Sequence, residues 1–398
     1  MPSFGPVRRA LLALAVGGFA IGTGEFVMLG LLPQVAGDLS VSIPRAGGLV
    51  SAYALGVVVG APLLTAVTVR HRRKLVLVAL LAVFALGNLA SALAPTFELA
   101  LVARFVTGLP HGAFFGVGSV VAAGMVPAAK KTTAMSVMFA GLTVANIVGV
   151  PATTLLGQHS SWRLVYGMVG VIAVLALALA LLFVPDSPGQ VGGLRRELGV
   201  FTRPQVWLTL AIATLGGGGL FATFSYIAPL MTEVAGYADG SVTYLLVLFG
   251  LGMTVGNLVG ARLADRALMR TLIGALVLEG VVALVFVVGS HDKIASAVLI
   301  FLFPATALGS LAPLQSRIIA LAGGAPNLAA ASIQAAFNIA NSIGAYVGGA
   351  AIAAGYGYAS VNVVAAVFIG IGLAFACASL GLDRYTAARR RTADVPVG

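Results

Sequence analysis

Long apolar runs alternate along this chain with short breaks that carry proline, glycine or charge. A helix that crosses a bilayer needs about 20 mostly apolar residues, at about 1.5 Å of rise each. Twelve runs meet that length, with loose edges: 10–32, 46–69, 75–95, 98–126, 132–157, 164–184, 205–231, 241–263, 271–289, 293–321, 328–352 and 358–381. The breaks include Pro44-Arg45, Ala94-Pro95-Thr96 and Gly323-Gly324-Ala325-Pro326. The longest polar connection, PDSPGQVGGLRRELGVFTRP, runs from Pro185 to Pro204 at mid-chain and reads as a linker. The pattern predicts an all-α polytopic membrane protein with twelve transmembrane helices. Its parts are a six-helix bundle over 1–184, a linker over 185–204, and a second six-helix bundle over 205–398 with a short basic tail.

Composition sharpens this. Of 398 residues, 60% are hydrophobic and only 9% are charged. A soluble domain is about 45–50% apolar and about 25% charged, so a large soluble core is excluded. The net charge of +11 raises the question of nucleic acid. The basic residues, however, sit in short loops and not in a stripe with aromatics, so they read as topology signals and no nucleic-acid partner is expected. With the N-terminus inside, the inner segments hold Arg8, Arg9, Arg70, Arg72, Arg73, Lys74, Lys130, Lys131, Arg195, Arg196, Arg203, Arg262, Arg266, Arg270, Arg317, Arg384, Arg389, Arg390 and Arg391. The outer loops hold only Arg45, Arg163 and Lys293. That bias predicts both termini in the cytoplasm. Cys377 is the single cysteine, which leaves no intramolecular disulfide and no cysteine-built metal cluster. The first run continues past signal-peptide length and is kept as a helix.

The two halves resemble each other. LGVVVG at 55–60 aligns with LGMTVG at 251–256, and the same offset sets Arg70 on Arg266 and Pro33 on Pro229. One residue less of offset sets ANIVG at 145–149 on ANSIG at 340–344. Together these point to a duplication, with a site between the halves near the bilayer midplane.

A charge at mid-helix costs about 2.5–3.5 kcal/mol on insertion scales, so the intramembrane ionisable residues carry information. They are Glu25, Arg104, His111 and Glu279. Glu25 precedes Pro33 by two turns and lies roughly 12 Å below the outer edge of its helix, while Arg104 lies roughly 9 Å down the fourth. The expectation is that the two pair if those helices are neighbours. Arg104, Gly108, His111 and Gly112 share one helical face, and the glycines let a backbone or a substrate come close. His111 is a candidate proton relay, with a hydrogen-bonded neutral imidazole as the alternative. Glu279 reads as structural, because its helix shows no partner in sequence. The fifth span, dense in Gly and Pro around Gly149 and Pro151, is expected to bend. Gly216-Gly217-Gly218-Gly219 follows no strand and lacks a P-loop lysine, so it reads as a closely packed helix.

On these motifs the chain resembles the twelve-helix drug:proton antiporters of the major facilitator superfamily, over essentially its whole length. GEFVMLGLLP at 24–33 is similar to that group's helix-one motif, RFVTGLPHG at 104–112 to its helix-four motif, and VGVPATTLLG at 148–157 to its helix-five motif. In detail it looks most like bacterial chloramphenicol-resistance or arabinose-efflux-type exporters. The resemblance implies the major facilitator fold, a place in the bacterial cytoplasmic membrane, no cofactor beyond the proton gradient and no metal. It identifies Glu25 as the group's helix-one acid and assigns proton coupling to Arg104; His111 remains the possible relay read from its own chemistry. The family's gate motif is altered here: Val69 stands where an aspartate belongs, and Thr65 and Arg72 replace glycines, whereas the second copy keeps Asp265. Gating is expected at Gly60, Arg70, Arg73, Gly149, Pro151, Gly260, Asp265 and Arg266.

The expected function is proton-coupled export of a small amphipathic compound, chloramphenicol-like, by a monomer in the lipid bilayer. No intramembrane enzyme motif is present in the sequence. Substrate contacts are expected from helices 1, 2, 4, 5, 7, 8, 10 and 11, at Tyr53, Phe115, Asn146, Phe221, Phe224, Asn257, Phe301, Asn338 and Asn341. Aromatics supply apolar area and amides fix orientation. The rivals are a sugar or metabolite exporter, which would lean on Asn146, Gln334, Asn338 and Asn341, and a passive facilitator.

Overall fold

The computed structural model describes residues 4–41, 43–189, 193–323 and 326–393, and among these all regular structure is helical. Helix α1 is Phe4–Asp38, α2 Gly48–Thr68, α3 Arg73–Leu93, α4 Phe97–Gly124 and α6 Trp162–Phe183. Helix α5 is built in three pieces: Lys131–Val144, a π-helical turn Ala145–Gly149, and Val150–His159. In the second half, α7 is Pro204–Phe224 and α10 is Lys293–Ala322, slackened at Gly309-Ser310. Helices α11, Pro326–Ala351, and α12, Ser360–Ala393, complete it. Helices α8 (242–266) and α9 (268–289) run on without a loop, joined across a kink where Ala267 takes φ −153° and ψ 74°. Ten helical stretches among the described residues are long and apolar enough to cross a membrane, with α8 and α9 counted as one. Helix α11 is not among those ten, because it carries Asn327, Gln334, Asn338 and Asn341.

Local chemistry sets the ends. Thr96 caps α4 by accepting from the Leu99 amide, Ser161 caps α6 from Arg163, and Asp292 caps α10 from Ala295 at 2.8 Å. The fifth helix does depart from regularity, at the π turn that ends on Gly149, one residue before Val150-Pro151. The polar linker is only partly irregular. It forms a short helix, Gly193–Leu198, and a 3₁₀ turn, Gly199–Thr202.

The outside of the bundle is apolar. Leu86, Leu93, Val171, Leu182, Val288 and Ile294 are exposed, as a lipid-facing surface requires. In the first half, α2 packs on α4, α3 on α4 and α6, and α1 on α5 and α6. In the second half, α8 packs on α10, and α7 on α11 and α12. The α2–α4 and α8–α10 seams repeat the same contacts. Gly56 and Gly60 lie against the carbonyls of Phe105 and Leu109, and Gly252 and Gly256 against those of Phe301 and Ala305. No Cβ fits at any of the four, so the helices approach backbone to backbone. The halves meet where α2 and α4 face α11, and where α5 faces α8 and α10.

Candidate functional site

The site grows from α4. Its face of Arg104, Gly108, His111 and Gly112 is buried, and Gly108 lets the Tyr53 backbone of α2 come close. The Tyr53 hydroxyl shares a 3.0 Å hydrogen bond with His111 Nδ1. Glu25 reaches the same nitrogen from α1, with its Oε2 at 3.9 Å. Phe115, one turn on, lies 5.2 Å from the imidazole and stacks on Phe139 of α5 at an interplanar angle of 3°.

Arg104 does not pair with Glu25. Its guanidinium lies between two phenol rings, 4.4 Å from the Tyr53 centroid and 5.2 Å from that of Tyr166 on α6. It is 1% exposed, and its three guanidinium nitrogens have no hydrogen-bond partner among the described residues. The depth estimate failed because α1 does not stop at Pro33. It continues to Asp38, which puts Glu25 about 20 Å from the helix end, level with His111 and not with Arg104. The nearest titratable side chain to the acid is therefore the imidazole of His111, while Arg104 makes no direct ion-pair contact with it.

A central cavity lies between the halves, with about 600 Å³ of non-protein space, open solvent included. Glu25, His111 and Leu142 line it from the first half; Gly216, Gly217, Met253, Glu279, Leu308, Gln334, Phe337 and Asn338 are among those that line it from the second. Of the coupling and substrate residues expected from the sequence, Glu25, His111 and Asn338 are on this wall, with Gln334 from the sugar-exporter reading. Tyr53 and Phe115 stand directly behind His111. The others lie off it. Phe224 stacks on Phe249 at 4.8 Å and meets Phe26 edge-on. Asn257 donates across the seam to the Ser136 carbonyl at 3.0 Å, and Asn146 caps back to Leu142. Phe221, Phe301 and Asn341 are half-buried elsewhere. Residue type alone cannot say which face of a helix looks inward. Helix α2 contributes nothing to the lining, while α9 contributes Glu279, which the sequence reading had set aside as structural.

At the end of the bundle that carries the linker, carboxylates hold the halves together. Asp265, at the end of α8, accepts from the Thr132 amide at 2.9 Å, from the Thr133 amide at 3.1 Å and from the Thr133 hydroxyl at 2.5 Å. It thus caps α5 of the other half. Glu197, from the linker helix, does the same for α11, accepting from the Asn327 amide at 3.3 Å and the Leu328 amide at 2.9 Å. The linker is tied in turn to the α2–α3 turn: the Arg73 amide donates to the Ser187 carbonyl at 3.0 Å, and Arg72 pairs with Asp186 at 2.8 Å. Burial pushes the Glu197 carboxyl above the ordinary carboxylate range, and the two amides and the charge of Arg73 pull it partway back. Sequence reasoning missed Glu197, although its signal was present as an acid directly after Arg195-Arg196 in the linker. Arg70 and Arg266 are exposed on this end, and Gly260 packs on Gly309 as Gly60 does on Leu109. Arg317 is also buried here, donating to Asp383 at 2.9 Å, to Ser379 at 2.6 Å and to Gln205 at 3.0 Å.

Comparison with known proteins agrees with this architecture. The family model described as Major Facilitator Superfamily matches residues 14–348. The inner membrane transport protein YdhP of Escherichia coli K12 is 42% identical over 368 residues, 92% of this chain and 95% of that protein. A chloramphenicol resistance protein of Streptomyces lividans is 34% identical, over 85% of this chain and 87% of that one. Among solved structures, the transporter FucP in the outward conformation superposes with a TM-score of 0.75 at 16% identity, over 93% of this chain and 98% of that one.

Proposed function

Because the chain belongs to the Major Facilitator Superfamily, and so is a membrane transporter and not an enzyme, we propose that it exports a small amphipathic compound in exchange for protons. The observation that carries this is the placement of Glu25. A carboxylate 3.9 Å from His111 lines a cavity to which both halves contribute, where its charge can be exchanged for cargo as the halves rock. Loading from the linker side, taken as cytoplasmic from the Lys and Arg bias, releases the proton of Glu25. Reclosure then turns the cavity outward, where a proton returns and cargo leaves. Each inward proton gains about 2.3 kcal/mol per 100 mV, inside negative. His111 relays or orients that proton, with the Tyr53 hydroxyl fixing its ring. The Asp265 and Glu197 caps form the inner gate, together with Gly60, Arg70, Arg73, Gly149, Pro151, Gly260 and Arg266. The cargo class follows from the chloramphenicol resistance relative and from the mostly apolar wall with few amides.

The test is an efflux panel in a susceptible bacterial host, with chloramphenicol and lipophilic cations, repeated with Glu25→Gln. Wild type lowers internal drug and loses the ability with an uncoupler. Glu25→Gln still binds drug but builds no gradient. Normal uphill export by Glu25→Gln refutes the coupling role. A sugar or metabolite exporter is the second reading, favoured by Gln334 and Asn338 on the cavity wall. Competition by sugars, in place of lipophilic compounds, decides for it.

A further inference from the structure

Helix α9 has one inward face and otherwise looks at lipid. Leu272, Leu276, Glu279, Ala283 and Phe286 are buried along it, at helical spacing. Val277, Leu278, Val281, Leu284 and Val285 are 42–59% exposed. Glu279 is 1% exposed, so protein and not lipid covers it. Its Oε1 has no hydrogen-bond partner among the described residues, which a merely structural acid would have. The side chain lines the same cavity as Glu25.

The four-glycine run explains how a carboxylate on an outer helix reaches that cavity. Helix α7 lines the cavity at Gly216 and Gly217, where it has no side chains. A Cβ at Gly216 would lie 3.1 Å from Leu276 on α9, and one at Gly217 would lie 3.0 Å from Phe337 on α11. Gly216, Gly217 and Glu279 line the same cavity, so the bare stretch of α7 leaves room for the carboxyl on its wall.

Among the described residues, those that line the cavity with Glu279 offer no counter-charge. Helix α10 presents Leu308, Ser310 and Leu311, and α8 presents Met253. Helix α12 packs Ile369 against Gly280 at 3.5 Å and Phe368 against Gly218 at 3.2 Å. Among the described residues, the other titratable groups on the cavity wall are Glu25 and His111 of the opposite half, and no lysine or arginine lines it.

We propose that Glu279 is a second proton-exchanging carboxyl of the central cavity, so that each half carries its own proton site. With no cation in reach, a proton is what neutralises it, bound at a carboxylate oxygen and released to the cavity. The site deepens the export reading and depends on it only for the use made of the proton.

Infrared difference spectroscopy tests this without any substrate. The full chain in lipid nanodiscs is stepped from about pH 5 to about pH 10, the span over which displaced carboxyls titrate, and the protonated carboxyl stretch is followed. Wild type shows a titrating component that Glu25→Gln and Glu197→Gln leave in place and Glu279→Gln removes. Glu279→Asp keeps it at a shifted frequency, which separates proton exchange from a folding defect. A Glu279→Gln spectrum that superposes on wild type overturns the proposal. A wild-type carboxyl signal that stays fixed over the whole range also overturns it. Export is a separate readout: a chain whose Glu279 titrates but which builds no drug gradient keeps this site and loses the coupling reading.

Discussion

The Glu197 carboxylate accepts the Leu328 amide at 2.9 Å, and so a residue of the linker caps a helix of the second half. The internal repeat shows what this contact replaces. The offset that sets Arg70 on Arg266 sets Val69 on Asp265, and the one that sets Gly149 on Gly344 sets Thr132 and Thr133 on Asn327 and Leu328. Asp265 caps the first pair of amides. By symmetry residue 69 would cap the second, but valine has no acceptor. The linker supplies the missing acid.

Removing that acid leaves two helix-terminal donors without their acceptor, at a cost of about 1–2 kcal/mol. Glu197→Ala is therefore expected to shift the balance towards opening at the linker end by about five- to thirtyfold. Spin-label distances measured across that end between α2 and α11 read the shift. Val69→Asp in the Glu197→Ala background should restore closure. Failure of that rescue, with the protein folded, argues that the linker cap is unrelated to the repeat.

The same contact gives a pH dependence with a fixed sign. In the closed arrangement the Glu197 carboxyl titrates above its ordinary value of 4.5, because burial outweighs the amides and Arg73. Freed to solvent on opening, it returns to the ordinary value. Closure therefore takes up protons: its contribution is complete below 4.5 and is lost as pH rises through the raised value. The fraction closed should fall over that window in wild type and stay flatter in Glu197→Gln. An opposite slope would mean that the amides, and not burial, dominate.

Much of this was legible in the chain because the bilayer permits few solutions. Apolar runs of helical length had to be helices, and the seam glycines and the acid Glu25 stood out against them. What was not legible depended on where helices end and which way they turn. Five residues of α1 beyond Pro33 were enough to move Glu25 from the level of Arg104 to that of His111. Glu279 seemed partnerless because the gap that connects it is made of glycines, which offer no side chain to notice. Phe224 and Asn257 have the right chemistry for a pocket wall, yet they face other rings or the seam. Periodicity could not distinguish those faces in helices that are apolar all round.

Arg104 tests how much of its role is pairing. The guanidinium is 4.4 Å from the Tyr53 ring and makes no direct ion-pair contact with Glu25, so the larger coupling should be found with the ring. A desolvated cation–π contact is worth up to about 2 kcal/mol. Double-mutant cycles on thermal stability, Arg104→Met with Tyr53→Leu, should give about 1–2 kcal/mol of interaction. Arg104→Met with Glu25→Gln should give the smaller coupling of the two cycles. Arg104→Lys should lose most of the ring contact, because an ammonium does not stack as the planar guanidinium does. An Arg104–Glu25 coupling larger than that with Tyr53 would restore the ion pair.

The glycine seams make the strongest demand on the duplication, because they predict equal penalties at positions far apart in the chain. A Cβ at Gly56 collides with the Phe105 carbonyl and one at Gly252 with that of Phe301; backbone cannot move aside as a side chain can. Overpacking of this kind costs about 1–3 kcal/mol or more. Gly167, Gly274 and Gly370 have nothing within 4 Å of such a Cβ, so alanine there should be neutral or stabilise by about 0.5–1 kcal/mol. Alanine scanning with thermal unfolding in detergent separates the groups. If Gly56→Ala and Gly252→Ala lower stability by the same amount while the three open positions do not, the two seams are energetic as well as geometric repeats. If Gly252 tolerates alanine and Gly56 does not, the slack lies between α8 and α10, where α10 is already loosened at Gly309-Ser310, and the second half is the one that yields when the transporter moves.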